Sequence, residues 1–328
     1  MDRIEPASPQ PGATPGHGER RLSVGEWLRH GPFLAHLVVT RRCNLKCGYC
    51  NEFDRVSPPV PWDLLDARLR KLRELRTWMV CLTGGEPTMH PELPRLVERM
   101  RDLGFRRRQV LTNGYRLTSA LVERLNAAGL TDLQISVDGV QPNRTTVKVL
   151  DPLRDKLELL ARHARFSVVV SAVIGSAPPS EALEVVRFTR GLGLTPRIIL
   201  LHDGTGRLRL GQDELAAFEE VKRLLGRRGR EAGDYRQRLI DDGRAPFRCR
   251  AGARYLYVDE FGKVHWCSQT VGAFARDLSE YGPEELARQF DAPKPCADGC
   301  TVGCARSASA YDGWRAQDAG PRPEPAGT

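Results

Sequence analysis

Hydrophobic and polar positions along most of the chain alternate between two rhythms. Short apolar runs are each followed by a stretch in which apolar residues return every three or four positions. Residues 21–30 predict a short lead-in helix, and Leu34–Thr40 is the first strand-like run. After an irregular stretch with Pro58 and Pro59, Trp62 and Asp63 open a helix with Leu64, Leu65, Leu69, Leu72 and Leu75 on its apolar face. Residues 78–82 form the second strand. The alternation then repeats as helix 92–103, strand 108–112, helix 119–128, strand 132–137, helix 153–165, strand 166–174, helix 180–192, strand 196–201 and helix 213–225. Strands alternating with amphipathic helices predict an α/β class with a parallel sheet and helices outside it. Right-handed crossovers would wind such a sheet consistently.

The rhythm breaks near Ala245. Tyr255–Val258 and residues 264–266 alternate apolar and polar around Glu260-Phe261-Gly262-Lys263, which predicts a hairpin with a glycine turn. A short helix near 283–290 follows, and then Cys296, Cys300 and Cys304. The Pro- and Gly-rich residues at both ends predict disordered tails over 1–20 and 313–328. The organisation expected is a core domain over 21–240 and a small cysteine-bearing domain over 245–312.

Composition narrows the class. The chain has 328 residues, 41% hydrophobic and 28% charged, as an ordinary soluble protein has. No apolar run approaches a bilayer span, and the first residues lack the apolar core of a secretory signal. Nine cysteines in short clustered spacings without such a signal point to metal ligation in a reducing cytoplasm rather than to disulfides. The net charge is +9, much of it arginine, with Arg106-Arg107-Arg108 and Arg227-Arg228-Gly229-Arg230 the densest runs. No aromatic interleaving or nucleic-acid motif accompanies these runs, so they read as solvated surface, and neither nucleic acid nor a membrane is expected as a partner.

Three cysteines directly follow the first strand, Cys43, Cys47 and Cys50, spaced C-x3-C-x2-C. Thiolates suit zinc or iron–sulfur clusters. Two spacings this short put three sulfurs on one loop, while a tetrahedral structural zinc site would need a fourth protein ligand. The second strand ends in Gly84-Gly85-Glu86-Pro87, where two glycines allow close approach to the backbone and Glu86 offers an acceptor for a cationic amine. Asn113-Gly114 ends the third strand and Ser136-Val137-Asp138-Gly139 the fourth. Both dipeptides are also ordinary turn formers. Polar residues at the C-terminal ends of strands are where α/β folds place their chemistry. Cys81, inside the second strand, reads as a small buried hydrophobe.

The C-x3-C-x-aromatic-C loop, with Tyr49 at the aromatic position, resembles the signature of the radical S-adenosylmethionine (SAM) enzymes. The resemblance runs from about Leu34 to Arg306 and implies a partial (β/α)6 barrel. It further implies that Cys43, Cys47 and Cys50 hold a 4Fe–4S cluster whose fourth iron binds the amino and carboxylate groups of SAM. Reductive cleavage would then yield methionine and a 5′-deoxyadenosyl radical that abstracts hydrogen from a substrate. Gly84, Gly85 and Glu86 would meet the amino group of SAM, and Ser136 and Asp138 could reach its ribose or carboxylate. Asn113 and Ser171 are further candidate SAM contacts, and Val173 and Ile174 could pack on adenine. An electron donor such as flavodoxin or ferredoxin is an implied partner.

Cys249, twelve residues, Gly262, four residues and Cys267 resemble the opening of the SPASM and Twitch extensions, small domains that hold auxiliary iron–sulfur clusters. The full SPASM pattern carries more cysteines than this chain supplies. Five C-terminal cysteines exceed the four ligands of one 4Fe–4S cluster and fall short of two sets. One auxiliary 4Fe–4S cluster is expected, held by Cys249, Cys267 and two of Cys296, Cys300 and Cys304, with the spare one open; a structural zinc knot is the alternative. Arg250, Arg254, Tyr255, His265, His202 and Asp203 lie near these ligands or at the end of strand six without a readable role.

The function expected is SAM-dependent hydrogen abstraction from a small molecule of secondary metabolism, leading to oxidation or rearrangement. A maturase of a ribosomally made peptide is the alternative, set second because the sequence before Leu34 is short for a leader-binding domain. A metal-stabilised scaffold is the alternative of another class, and it would have no need of Gly84-Gly85-Glu86.

Overall fold

The computed structural model describes residues 22–50, 52–201, 208 and 210–313, without the side chains of 227–234. The expected tail over 1–20, that over 313–328 apart from residue 313, and His202 and Asp203 lie outside the described residues.

Helix α1 is Val24–His30, capped by reciprocal bonds between Ser23 and Glu26. Five strand–helix units follow. They are β1 Leu34–Thr40 and α2 Trp62–Glu74, β2 Met79–Gly84 and α3 Leu93–Asp102, β3 Arg107–Thr112 and α4 Ser119–Ala128, β4 Asp132–Val137 and α5 Arg154–His163, and β5 Ser167–Ile174 and α6 Pro179–Gly191. β6 Thr195–Leu200 and α7 Gln212–Asp242 make the sixth. The C-terminal part holds β7 Tyr255–Val258, β8 Lys263–His265, β9 Arg276–Asp277, α8 Pro283–Asp291 and α9 Gly303–Ser309.

The sheet runs in the order β6-β5-β4-β3-β2-β1-β7-β8-β9, parallel from β6 to β7. Its first six strands, each followed by a helix, are the partial barrel. The hairpin does more than the periodicity indicated, because β7 pairs in parallel with β1 and extends the same sheet. β1 is therefore flanked on both sides, and all seven of its residues are buried.

Alternation along the strands sorts side chains to two faces. Ala35, Leu37, Val39, Val80, Leu82, Val110 and Ile135 join the core under the helices. Leu34, Val38, Cys81, Tyr255 and Tyr257 line a second apolar cluster with Cys249 and Cys267. The concave face thus collects the cysteines and most of the polar strand residues.

Two elements differ from the sequence expectation. The final helix does not stop at Leu225 but runs to Asp242, across a break at Gly226 where φ is 60° and ψ is −138°. Apolar periodicity weakens at that glycine, while Leu239 and Ile240 resume the buried face beyond it. Helix α9 is the second, and its small residues carry little amphipathic signal in the sequence. It docks through Ala305 and Ala308, both buried.

Buried Arg254 ties the two ends of the described chain together. Its guanidinium pairs with Asp312, also buried, and donates to the carbonyls of Trp27, Leu28, Arg29 and Gly31 at the end of α1. A cation there satisfies carbonyls that the helix leaves open.

Candidate functional site

Backbone contacts hold the cysteine loop in place. Cys43 N donates to Asp54 O at 3.0 Å and Asp54 N to Arg41 O at 2.8 Å, closing the loop on itself. Gly85 N donates to Thr40 O at 2.8 Å and Glu86 N to Arg42 O at 2.9 Å. A Cβ on Gly84 would collide with the Thr40 carbonyl oxygen, and one on Gly85 with those of Arg41 and Arg42. The two glycines therefore let the cysteine loop lie directly on the end of β2. On the far side, Gly48 N donates to Thr145 O at 2.9 Å, and a Cβ at Gly48 would sit 2.7 Å from Arg144 O.

The three thiols are neighbours. Cys47 is buried and Cys43 and Cys50 half-buried. Burial pushes the Cys43 thiol up, opposed by the Leu45 amide on its sulfur, and the nearby Cys50 and Cys47 thiols push it further. Burial likewise raises the Cys50 thiol, opposed by a backbone donor and by Lys148. The Asn113 amide nitrogen lies 3.8 Å from Cys43 Sγ and 2.9 Å from Asn44 Oδ1. The three thiols act on one another electrostatically, and amide donors lie near Cys43 Sγ. That donor set fits a cluster with one open metal position better than a closed structural zinc site. Among the described residues, no three or more His, Cys, Asp or Glu side chains are gathered closely enough to hold a single metal ion.

Glu86 is fully buried, and its carboxylate accepts from Thr88 N and Oγ1, from Thr112 Oγ1 at 2.6 Å and from Asn113 N at 2.7 Å. Most of its acceptor capacity is used within the chain, binding the end of β2 to the end of β3. Asp138, also buried, accepts on Oδ2 from Tyr49 Oη at 2.6 Å and Thr146 Oγ1 at 2.8 Å, with Lys148 Nζ at 3.4 Å. Its Oδ1 is buried without a partner. Lys148 also lies 4.9 Å from the centre of the Tyr49 ring. Burial pulls the Lys148 ammonium down, but Asp138 and Tyr49 outweigh it and hold it above its usual range. Nothing in the sequence marks Lys148 and Thr146, because the loop between β4 and α5 has no motif spacing.

Ser136 and Ser171 pair across β4 and β5, and Arg197 continues the row on β6. Ser171 is fully buried and its Oγ has no partner. Val173 lies on the same side of β5 as Ser171, while Ile174 packs in the core under the helices.

The C-terminal cysteines sort into two groups. Cys249, Cys267, Cys296 and Cys300 lie within electrostatic reach of one another, and burial pushes the Cys249 thiol up to about 11. Cys304 instead feels the charges of Arg197 and Glu52, and it acts on Cys81 and Tyr255. Cys81 is buried beside it. The Lys294 ammonium, lowered to about 8 by burial, is near Cys249 and donates to the Gln289 and Ala292 carbonyls.

The hairpin meets the first loop. Tyr257 Oη donates to Glu52 Oε1 at 2.5 Å, two residues past Cys50, and Arg41 Nε to Glu260 Oε2 at 2.8 Å. The remaining polar residues are engaged structurally. His265 bonds Phe274 O and Asp259, Arg250 bonds Phe290 O, and Tyr255 Oη lies 3.1 Å from His36 Nδ1.

A sequence model described as the Radical SAM superfamily matches residues 37–206, from β1 to just past β6. The chain is 29% identical over 181 residues to 7,8-dihydro-6-hydroxymethylpterin dimethyltransferase of Methanocaldococcus jannaschii, covering 50% of this chain and 36% of that protein. It is 27% identical over 206 residues to a probable GTP 3′,8-cyclase of Saccharolobus solfataricus, covering 58% and 66%. The chain thus spans about a third of the length of the first and about two thirds of the second. Its fold is similar to that of Streptococcus suis SuiB bound to precursor peptide SuiA, with TM-score 0.60 at 17% identity over 82% of this chain and 68% of that one. It is also similar to native anSMEcpe with bound AdoMet and Cp18Cys peptide, with TM-score 0.57 at 16% identity over 79% and 80%. The matched segment carries the cysteine loop, the glycine clamp and the ends of the first six strands, and the chain belongs to the radical SAM superfamily.

Proposed function

We propose that this chain is an enzyme that binds SAM over a 4Fe–4S cluster held by Cys43, Cys47 and Cys50, and uses it to abstract hydrogen from a small molecule. The observation that carries the reading is the three-thiol loop clamped on the Gly84-Gly85 backbone at the C-terminal end of β1. When bound, the cluster and SAM supply a 5′-deoxyadenosyl radical by reductive cleavage, with the electron coming from a donor such as flavodoxin or ferredoxin.

The chain's own residues bind and orient. Glu86 fixes the strand ends and keeps the cysteine loop in register with β2. Asp138 Oδ1 is a desolvated acceptor with open capacity, which a hydroxyl or amine of the bound nucleoside would satisfy. Tyr49 and Lys148 hold the other oxygen of that carboxylate and so fix its direction. Ser136 and Ser171 line the concave face next to it. Outcomes for the substrate are oxidation or rearrangement.

Cys249, Cys267, Cys296 and Cys300 are the ligands we assign to one auxiliary 4Fe–4S cluster. Cys304 is left out because its charged neighbours are Arg197 and Glu52. A peptide substrate is the second reading, favoured by the fold neighbours solved with peptides bound.

Iron and sulfide content after anaerobic reconstitution tests the assignment. About eight irons per chain in wild type, about four in a Cys43/Cys47/Cys50→Ala variant and about eight in Cys304→Ala are expected. Cys300→Ala should fall well below Cys304→Ala. About four in wild type and none in the triple variant would remove the auxiliary cluster.

A further inference from the structure

The turn between β7 and β8 is braced from several sides and still points a large apolar ring outward. Asp259 Oδ1 accepts from Phe261 N at 3.0 Å and from Lys263 N at 2.8 Å, and Asp259 O accepts from Gly262 N at 3.0 Å. Gly262 takes a left-handed φ of 87°, and a Cβ there would sit 3.0 Å from Arg68 Nε on α2. Arg68 Nη2 donates to Glu260 O at 3.0 Å, and Arg41 Nε holds the Glu260 carboxylate at 2.8 Å. With its backbone fixed at these points, Phe261 is nonetheless 74% exposed.

Two more apolar side chains are exposed on the same supports. Leu64 precedes Arg68 by one turn of α2 and is 50% exposed. Val56 is 85% exposed and lies two residues past Asp54, whose backbone bonds Arg41 O and Cys43 N. Single exposed apolar residues need no account, but three on segments that converge on Arg41 and Arg68 make a patch. Cations rim it. Arg42, Lys46 and Arg55 are exposed and make no ion pair among the described residues. The nearby acids are engaged, Glu260 by Arg41, Glu52 by Tyr257, and Asp54 by Ser57 and backbone amides. Asp63, in the first turn of α2, is the exposed exception. Arg42 and Lys46 belong to the cysteine loop itself, one just before Cys43 and one just before Cys47.

An apolar centre with a polar rim is the anatomy of a protein interface, and an aromatic anchor on a fixed backbone loses little entropy on docking. We infer that this face docks an acidic electron-carrier protein, with Phe261 as the anchor and Arg42, Lys46 and Arg55 as the rim that steers the carrier onto the cysteine loop. Charge of one sign around a small apolar centre suits a brief, salt-sensitive encounter of the size that electron transfer uses. The carrier's task rests on the proposed function: each SAM cleaved takes one electron, and the carrier is oxidised by one. That the face binds an acidic carrier rests on the patch and its charges alone.

Surface plasmon resonance of the reconstituted full chain over immobilised flavodoxin and, separately, ferredoxin tests the inference. At least one carrier should bind saturably, with affinity falling as salt rises. Phe261→Ser should weaken binding about ten-fold or more, as loss of an interface anchor does. Arg55→Glu should slow association about ten-fold, since it reverses a steering charge. Arg162→Glu, on the exposed side of α5, should change neither. SAM cleavage driven by dithionite, which needs no carrier, should match wild type in all three variants. Absence of saturable binding to both carriers, or equal binding by wild type, Phe261→Ser and Arg55→Glu, would overturn the inference. So would loss of dithionite-driven cleavage in those two variants, which would make the residues structural. Loss of a dimer, or of binding to phosphatidylglycerol vesicles, with carrier binding unchanged would assign the face to another occupant and overturn it too. In wild type, dithionite-driven cleavage without carrier binding sinks only the docking face, and carrier binding without cleavage sinks only the proposed enzyme.

Discussion

His36 shows how one side chain records its place on the concave face. Its ring is buried on β1, Nδ1 meets the Tyr255 hydroxyl, and Nε2 has no partner. Burial lowers its pKa to about 4, against a smaller opposing pull from Glu52. The unfolded chain therefore takes up a proton near pH 6.5 that the folded chain refuses until about pH 4. Stability contributed by the neutral ring is complete above pH 6.5 and falls as the pH drops towards 4. Between pH 7.5 and 5.5 the loss is about 1 kcal/mol. Denaturant unfolding at both pH values should show that slope in wild type and not in His36→Gln; equal slopes would contradict it. Residues of this kind were invisible in the sequence, as were Lys148 and Arg197, because their roles depend on partners far along the chain. The three loop cysteines were legible because their chemistry lies in local spacing.

At the scale of elements, the glycine clamp explains why strand two ends as it does. The sequence suggested glycines for close approach of a ligand, and the approach observed is by the chain itself, the Arg41 and Arg42 carbonyls. Gly85→Ala should push the cysteine loop off β2. Reconstituted iron should fall by about half, towards the about four that an auxiliary cluster alone would hold, while a spectroscopic measure of secondary structure stays near wild type. Undiminished iron would show that the loop tolerates the displacement. The strands and helices of the first six units were readable from period alone, with ends misplaced by a residue or two. The pairing of β7 with β1 was not, since a contact between distant segments leaves no local periodicity. Nor was the extension of α7 beyond Gly226, where a glycine inside a helical pattern reads as an end.

At the scale of the whole molecule, two thiol sets share one sheet. One sits on the loop after β1, and the other gathers where the chain returns through β7 and β8. Tyr257–Glu52 and Arg41–Glu260 join the two regions directly. Among the described residues no helix is long and apolar enough to cross a membrane. The family was legible from the loop and the glycine motif together. Which cysteine stands apart was not, because Cys296, Cys300 and Cys304 are evenly spaced, four residues apart, and only the fold separates Cys304 from the others.

The most direct measurement is SAM turnover by the anaerobically reconstituted chain under a strong reductant, with methionine and 5′-deoxyadenosine quantified. Wild type should form both in equal amounts, and the Cys43/Cys47/Cys50→Ala variant neither. Wild type holding a full complement of iron yet forming no 5′-deoxyadenosine, or the triple variant forming as much as wild type, would contradict the assignment of the β1 loop as the radical-generating centre.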